Sequence, residues 1–365
     1  MGAWRLILAW LVVVDHTPAL REISHIEIGE VAVCTFFFVS GFLMPLTFAT
    51  HYQGYGFLAG TWKFYVNRFL RIYPIYWLSL AVTLLCVLIY GPTLMEHART
   101  LADLSRPGTY LSNVLLLGLN QTRFWGGDFR FNPPAWTLDV ELQYYLLVPF
   151  ILFMARRSWS AIVLVAIGIA SVYLFCRPPQ LLDLERWLLP WACFFLLGYA
   201  FYLSPRMQAL ASRKLLIIPS VVAALVFASL SSRLGLTILL HTLAFIGVSA
   251  YLLVLQQGRK FGRLDRLLGD LSYPTYVLHW ICIQLIVLWL GNSLNGLAPY
   301  MRFSTQVALS ILLSTLVAYG ALRLIGDPIE SIRRRIRDRR ESRVTAPMPP
   351  EGGGPILPAQ ESRQP

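Results

Sequence analysis

Charge is scarce in this chain of 365 residues. Only 14% of its side chains are Asp, Glu, Lys or Arg, against about 25% in ordinary soluble domains. A soluble chain of this length could bury a core, but it could not also clothe its surface with so few charges. Acidic groups are the scarcer sign, with 19 Asp and Glu against 31 Lys and Arg. The five cysteines, Cys34, Cys86, Cys176, Cys193 and Cys282, form no Cys-x-x-Cys pair and lie in or at the ends of apolar runs. They read as small buried hydrophobes rather than a disulfide or metal framework, and no metal is expected. No internal repeat is visible. No stretch outside the apolar runs is long enough for an appended soluble catalytic domain.

What the chain does have is apolar sequence in long runs. Residues 215–230, 238–255 and 307–324 are examples. Runs of about 18 apolar residues read as membrane spans. The expected fold is all-α and integral to a membrane, with ten transmembrane helices at about 3–18, 30–48, 72–90, 138–155, 160–176, 187–203, 215–231, 236–256, 272–290 and 304–325. Cations alternate between the connecting segments. Arg5 precedes the first span; Lys63, Arg68 and Arg71 precede the third; Arg156 and Arg157, Arg206, Arg213 and Lys214, and Arg259, Lys260, Arg263 and Arg266 follow the fourth, sixth and eighth. The positive-inside rule then puts both termini in the cytoplasm. A rival reading of the first run as a signal peptide is opposed by Asp15-His16 and by the even span count.

The expected organisation is a membrane domain over 1–330, a basic juxtamembrane segment over 331–343 and a disordered Pro/Gly-rich tail over 344–365. The basic segment carries Arg333, Arg334, Arg335, Arg337, Arg339, Arg340 and Arg343. Directly after an apolar run, such a cluster reads as an orientation signal and a contact to anionic membrane lipids. No nucleic-acid partner is expected from it.

Ionisable residues inside spans are costly and mark function by default. Asp15 and His16 lie in the first span, Asp139 and Glu141 at the start of the fourth, His241 in the eighth and His279 in the ninth. On a helix His16 stands roughly 16 Å from Arg5, about half the hydrocarbon thickness. A lone intramembrane His also serves as an interhelical hydrogen bonder, and a structural role is expected for His279. Arg68 and Arg71 are three apart and share a helix face. They form either a clamp for phosphates or a plain topological anchor. Glu141 could orient His16, bind an acceptor hydroxyl or pair with an outer arginine. The aromatic and polar residues of 91–137, including Tyr110, Trp125, Asp128 and Trp136, suit a lid over a sugar and equally an interface belt.

Several blocks combine into something more specific. Trp4-Arg5-Leu6-Ile7-Leu8-Ala9 with Val12-Val13-Val14-Asp15-His16 resembles the opening of the membrane-bound acyltransferase-3 family. Phe36-Phe37-Phe38-Val39-Ser40-Gly41-Phe42-Leu43, Arg68-x-x-Arg71 followed by Ile72-Tyr73-Pro74, Pro134-Ala135-Trp136-Thr137-Leu138 with Glu141 and Tyr145, and Ser272-Tyr273 with Tyr276-Val277-Leu278-His279 follow in family order. The resemblance implies an enzyme of about ten spans in the bacterial inner (plasma) membrane. It implies O-acylation, with acetyl the first expectation, of an extracytoplasmic or lipid-linked glycan from cytoplasmic acyl-CoA. It also implies His16 as the catalytic histidine, Arg5 as part of its motif, and Arg68 and Arg71 at the acyl-CoA site. Lys63 is a further candidate for the CoA phosphates and Glu141 for the catalytic group. Some members carry an extracytoplasmic hydrolase-like domain that is not seen here, which speaks against two-stage transfer. Two other classes compete: a transporter of a lipid-linked sugar or acyl donor, and a non-catalytic membrane scaffold. A transporter often shows paired broken helices in two related halves, and no such symmetry is visible.

Overall fold

The computed structural model describes residues 1–21, 27–91, 107–118, 130–155, 157, 159–176, 187–213, 234–256 and 262–338. The described residues form helices and no strand. In chain order these are α1 (Gly2–Asp15), α2 (Ile28–His51), α3 (Phe57–Tyr90), α4 (Pro107–Leu115), α5 (Trp136–Met154), α6 (Ser160–Cys176), α7 (Leu188–Leu203), α8 (Pro205–Ala211), α9 (Leu234–Gln256), α10 (Arg263–Leu294), α11 (Pro299–Ala321) and α12 (Asp327–Asp338).

Six helical stretches are long and apolar enough to cross a membrane: Ile28–His51, Phe57–Tyr90, Pro133–Met154, Ile238–Gln256, Arg263–Leu294 and Pro299–Arg337. They coincide with six of the ten segments expected from sequence. The other four are not among these six. The 3–18 segment forms a 14-residue helix and then turns at Pro18–Arg21. The 160–176 segment is a 17-residue apolar helix. The 187–203 segment runs into α8 through a 97° bend, where Pro205 follows Ser204 and the Ser204 hydroxyl caps the new helix at the Met207 N–H. The 215–231 segment and the 344–365 tail lie outside the described residues, as do Arg156, Lys214, Arg259, Lys260, Trp125 and Asp128.

The solvent these helices expect is legible from their outer faces. On α6, Ile162, Val165, Ile169 and Tyr173 are each more than 60% exposed. An uninterrupted apolar face of that kind is stable against lipid rather than water. Pro45, Pro74, Pro149 and Pro274 sit inside α2, α3, α5 and α10, which is tolerated in a bilayer bundle.

Helix α1 is held inside the bundle, and that fixes the depth of everything it carries. Trp4 Nε1 donates to Ser249 Oγ on α9 at 2.8 Å, and Trp10 Nε1 to Thr315 Oγ1 on α11 at 3.0 Å. Asp15 accepts from the Gly29 N–H at 2.9 Å, a carboxylate at the first turn of α2 where unpaired N–H groups gather. The α2–α7 crossing is closer still. A Cβ on Gly41 would fall 2.2 Å from the Phe195 carbonyl oxygen, and one on Gly198 would fall 2.1 Å from that of Phe38. Small residues at such crossings let backbones touch in the absence of a hydrophobic drive between helices. Phe37 and Phe195 stack beside this contact at 4.6 Å between ring centroids.

Because backbone rather than a flexible side chain blocks the added methyl, Gly41→Ala and Gly198→Ala should each destabilise the protein by about 1–3 kcal/mol, the range for overpacking. Thermal unfolding of the purified protein in detergent should show both variants melting below the wild type. Unchanged melting would mean that α2 and α7 do not cross this closely.

Candidate active site

The family-like blocks converge where α1, α2, α3, α5 and α10 meet. An open cleft is lined there by Arg5, Ser40, Arg71, Glu141, Tyr145 and Tyr276, among others. These side chains come from five helices, which must be in register before the cleft exists. The apolar lining includes Val33, Phe36, Phe37, Leu43 and Met44 from α2.

Glu141 is the best-fixed polar group. Ser40 Oγ donates to its Oε1 at 2.6 Å, and the Tyr145 hydroxyl donates to the same oxygen across one helical turn. Two hydroxyl donors on one carboxylate oxygen lock its rotamer. Ser40 and Tyr145 belong to blocks singled out in the sequence, but a role as holders of Glu141 needs the α2–α5 contact to be seen. The second carboxylate of this block, Asp139, is fully buried and accepts from the Gly118 N–H at 3.0 Å and from Gln143 Nε2 at 3.2 Å. It braces the chain after α4.

The two arginines of the third block separate. Arg71 lines the cleft. Arg68 is buried at 4% exposure, with Met44 Sδ 3.3 Å from its Nη1 and its guanidinium over the rings of Phe64 and Tyr145. It supports Tyr145, and through it Glu141, rather than lining the cleft. Lys63 lies two turns away with its ammonium 4.5 Å from the Tyr55 ring centroid, and it too is outside the lining.

His16 is half-buried and is not part of the lining. Its Nδ1 lies 2.9 Å from the Val12 carbonyl oxygen. A carbonyl can only accept, so Nδ1 carries the proton in that bond and Nε2 of the neutral ring holds the lone pair. The ring packs edge-on against His279, 5.0 Å between centroids, and against Trp280 at 5.7 Å. His279 is fully buried; its Nδ1 lies 2.5 Å from the Tyr276 carbonyl oxygen, and its Nε2 has no hydrogen-bond partner among the described residues. Tyr276 closes the chain of contacts. It lines the cleft, its ring is 5.8 Å from that of His279, and its hydroxyl meets Thr137 Oγ1 in a short hydrogen bond. One layer, Tyr276 and His279, thus separates the cleft from His16. The pairing of His16 with His279 joins residues 263 positions apart, and no spacing in the sequence signals it. Among the described residues no three His, Cys, Asp or Glu side chains gather as a metal site would require.

The chain belongs to the membrane-bound acyltransferase-3 family. The family model, described as an acyltransferase domain, matches residues 1–323. The chain is 24% identical over 363 residues to "Acyltransferase MdmB" of Streptomyces mycarofaciens, covering 90% of this chain and 87% of that protein. It is 28% identical over 156 residues to "Nodulation protein 10" of Rhizobium leguminosarum bv. viciae, covering 38% and 37%. No solved structure matches the chain. The protein is therefore a multi-pass membrane acyltransferase, and the transporter and scaffold readings fall away.

The two arginines should fail differently on substitution. Arg68→Ala removes a buried cation stacked on two rings, and should cost about 1.5–3 kcal/mol of stability. Arg71→Ala should leave the melting temperature near that of the wild type. Equal melting of the two variants would contradict the separate placement of these side chains.

Proposed function

We propose that the protein is an O-acyltransferase that moves an acyl group, acetyl in the first instance, from cytoplasmic acyl-CoA to a hydroxyl of an extracytoplasmic or lipid-linked glycan. The observation that carries this reading is the convergence of Arg5, Arg71 and Glu141 on one cleft whose inner wall, Tyr276, leads to the His16–His279 pair. Ten spans, with both termini in the cytoplasm of a cell whose inner membrane holds the protein, complete the proposal. Arg5 and Arg71 then lie toward the cytoplasmic face.

In this scheme the donor enters from the cytoplasm. Arg71 takes phosphate charge, and the thin pantetheine arm passes up the apolar side of the cleft. The acceptor hydroxyl approaches from the outer side. His16 Nε2 takes the hydroxyl proton as the oxygen attacks the thioester carbonyl carbon. The tetrahedral intermediate collapses, the C–S bond breaks, and the leaving CoA thiolate recovers the proton. In a second route His16 Nε2 itself attacks the thioester and passes the acyl group on to the hydroxyl. Both routes need the same nitrogen, Nε2, since the hydrogen bond to Val12 puts the ring proton on Nδ1. Glu141, fixed by Ser40 and Tyr145, is placed to answer the charge of Arg5 and Arg71 and to receive a sugar hydroxyl.

Two measurements test the proposal. Purified protein in detergent, given acetyl-CoA labelled in the acetyl group and a crude lipid-linked glycan fraction, should form an alkali-labile acyl ester without any membrane barrier. Failure to transfer from acetyl-CoA or longer acyl-CoA would remove the donor assignment. For topology, a cysteine-free variant carrying Ser212→Cys should be labelled only from the cytoplasm, and one carrying Asn295→Cys only from outside. Both positions are exposed, and labelling from the same side would overturn the span count.

A further inference from the structure

A second cavity adjoins the first, and the family match at residues 1–323 does not reach the helix that walls it. This cavity, about 190 Å³ and predominantly polar, lies between α3, α10 and α12. Arg71 and Tyr273 line both cavities. Tyr273 is fixed there by a 2.6 Å hydrogen bond from its hydroxyl to the Ile72 carbonyl. The two spaces therefore flank the arginine to which the donor is assigned.

Helix α12 is docked rather than loose. Asn67 is fully buried on α3; its Oδ1 accepts from Arg333 Nη2 at 3.2 Å and Nε at 3.3 Å, and its Nδ2 lies 3.4 Å from the Arg333 carbonyl oxygen. The residue that opens the Asn67-Arg68-Phe69-Leu70-Arg71 block thus holds α12 against α3. The cavity wall then carries Arg71, Arg333, Arg334 and Arg337 against Asp270, Asp327 and Glu330. Asp327 is already paired with Arg323 at 2.9 Å. Glu330 is shared by Arg333, Arg334 and Arg337 at 2.5, 3.4 and 2.7 Å. With Asp327 paired elsewhere, four arginines face two carboxylates, Glu330 and Asp270, and positive charge is left in surplus. A planar fork in surplus charge is what a phosphate or diphosphate selects.

We infer that α12 is part of the donor site: Arg333, Arg334 and Arg337, with Arg71, bind the phosphates of the nucleotide end of the acyl donor, while its pantetheine arm runs through the first cavity toward His16. This rests on the acyl-CoA reading above. It changes the role of the juxtamembrane arginines from topological signal and lipid contact to substrate recognition. No covalent step is involved. The binding is ion pairing and hydrogen bonding alone.

The test is calorimetric titration of CoA, and separately of pantetheine, into the full chain in nanodiscs of phosphatidylcholine. Pantetheine lacks the nucleotide and its phosphates. The double variant Arg334→Gln/Arg337→Gln should weaken CoA binding about tenfold or more, the loss of one or more charge-assisted contacts, and leave pantetheine binding unchanged. Arg333→Gln should do the same, and Arg333→Lys should recover only part. Arg333→Gln also removes a packing contact to Asn67, so the double variant, on more exposed side chains, decides if Arg333→Gln does not fold. Wild-type affinity for CoA in the double variant would overturn the inference and leave the acyl-CoA reading standing. An equal loss for CoA and pantetheine would overturn it too, since the arginines would then act on the fold. Loss of binding to phosphatidylglycerol vesicles with CoA affinity intact would assign these arginines to lipid headgroups instead. A wild type that binds no CoA would overturn both readings.

Discussion

Arg5, Arg71 and Glu141 face one cleft inside a bundle whose outer surface is apolar. Ionised groups at such depth carry a heavy desolvation cost unless each finds a partner or a ligand. Much of the architecture answers that cost. Ser40 and Tyr145 hold the carboxylate, Arg68 stacks beneath Tyr145, and Asn67 on the same helix turns outward to tie down α12. The Gly41–Gly198 crossing brings α2 against α7 and so sets where Ser40 stands. Removing any one of these supports would move a charge, which explains why the site needs helices from both ends of the chain.

The histidines sit under a different constraint. They are one layer beyond the cleft, each with Nδ1 tied to a carbonyl of its own helix. That hydrogen bond is ordinary for a structural histidine. In His16 it also sets the tautomer a base or nucleophile requires. The structural role expected for His279 therefore has two faces. Its Nδ1 bond and full burial fit a packing residue, while its contact with His16 gives it a hand in the position of that ring.

Much of this was legible in the sequence, and the gaps have physical causes. Apolar length identifies spans well because lipid forces the backbone to satisfy itself within each segment. It does not reveal a break such as the 97° bend before Pro205, since composition alone carries no direction. Arg5, Arg71 and Glu141 were each singled out by the motif blocks, Arg5 and Glu141 with His16 and Arg71 with Arg68; that the three line one cleft needs the helix packing. The separation of Arg68 from Arg71 did not, because a three-residue offset permits a shared face but cannot say that Met44, Phe64 and Tyr145 close over one end of it. Lys63 was drawn in by its charge, whereas its ammonium sits on Tyr55. The arginine run read as a topological signal because its packing partner, Asn67, is 266 residues away.

The central claim is a division of labour, with donor affinity at the arginines and chemistry at His16. Parallel measurement of CoA binding and acyl transfer on purified His16→Ala protein tests it most directly. Binding should match the wild type, while transfer should fall by about 10²–10⁴ for a lost general base, and further if the ring carries the acyl group. Transfer at the wild-type rate would contradict the account. So would a variant that no longer folds or binds CoA, because His16 would then be a packing residue and His279 the better candidate for the chemistry.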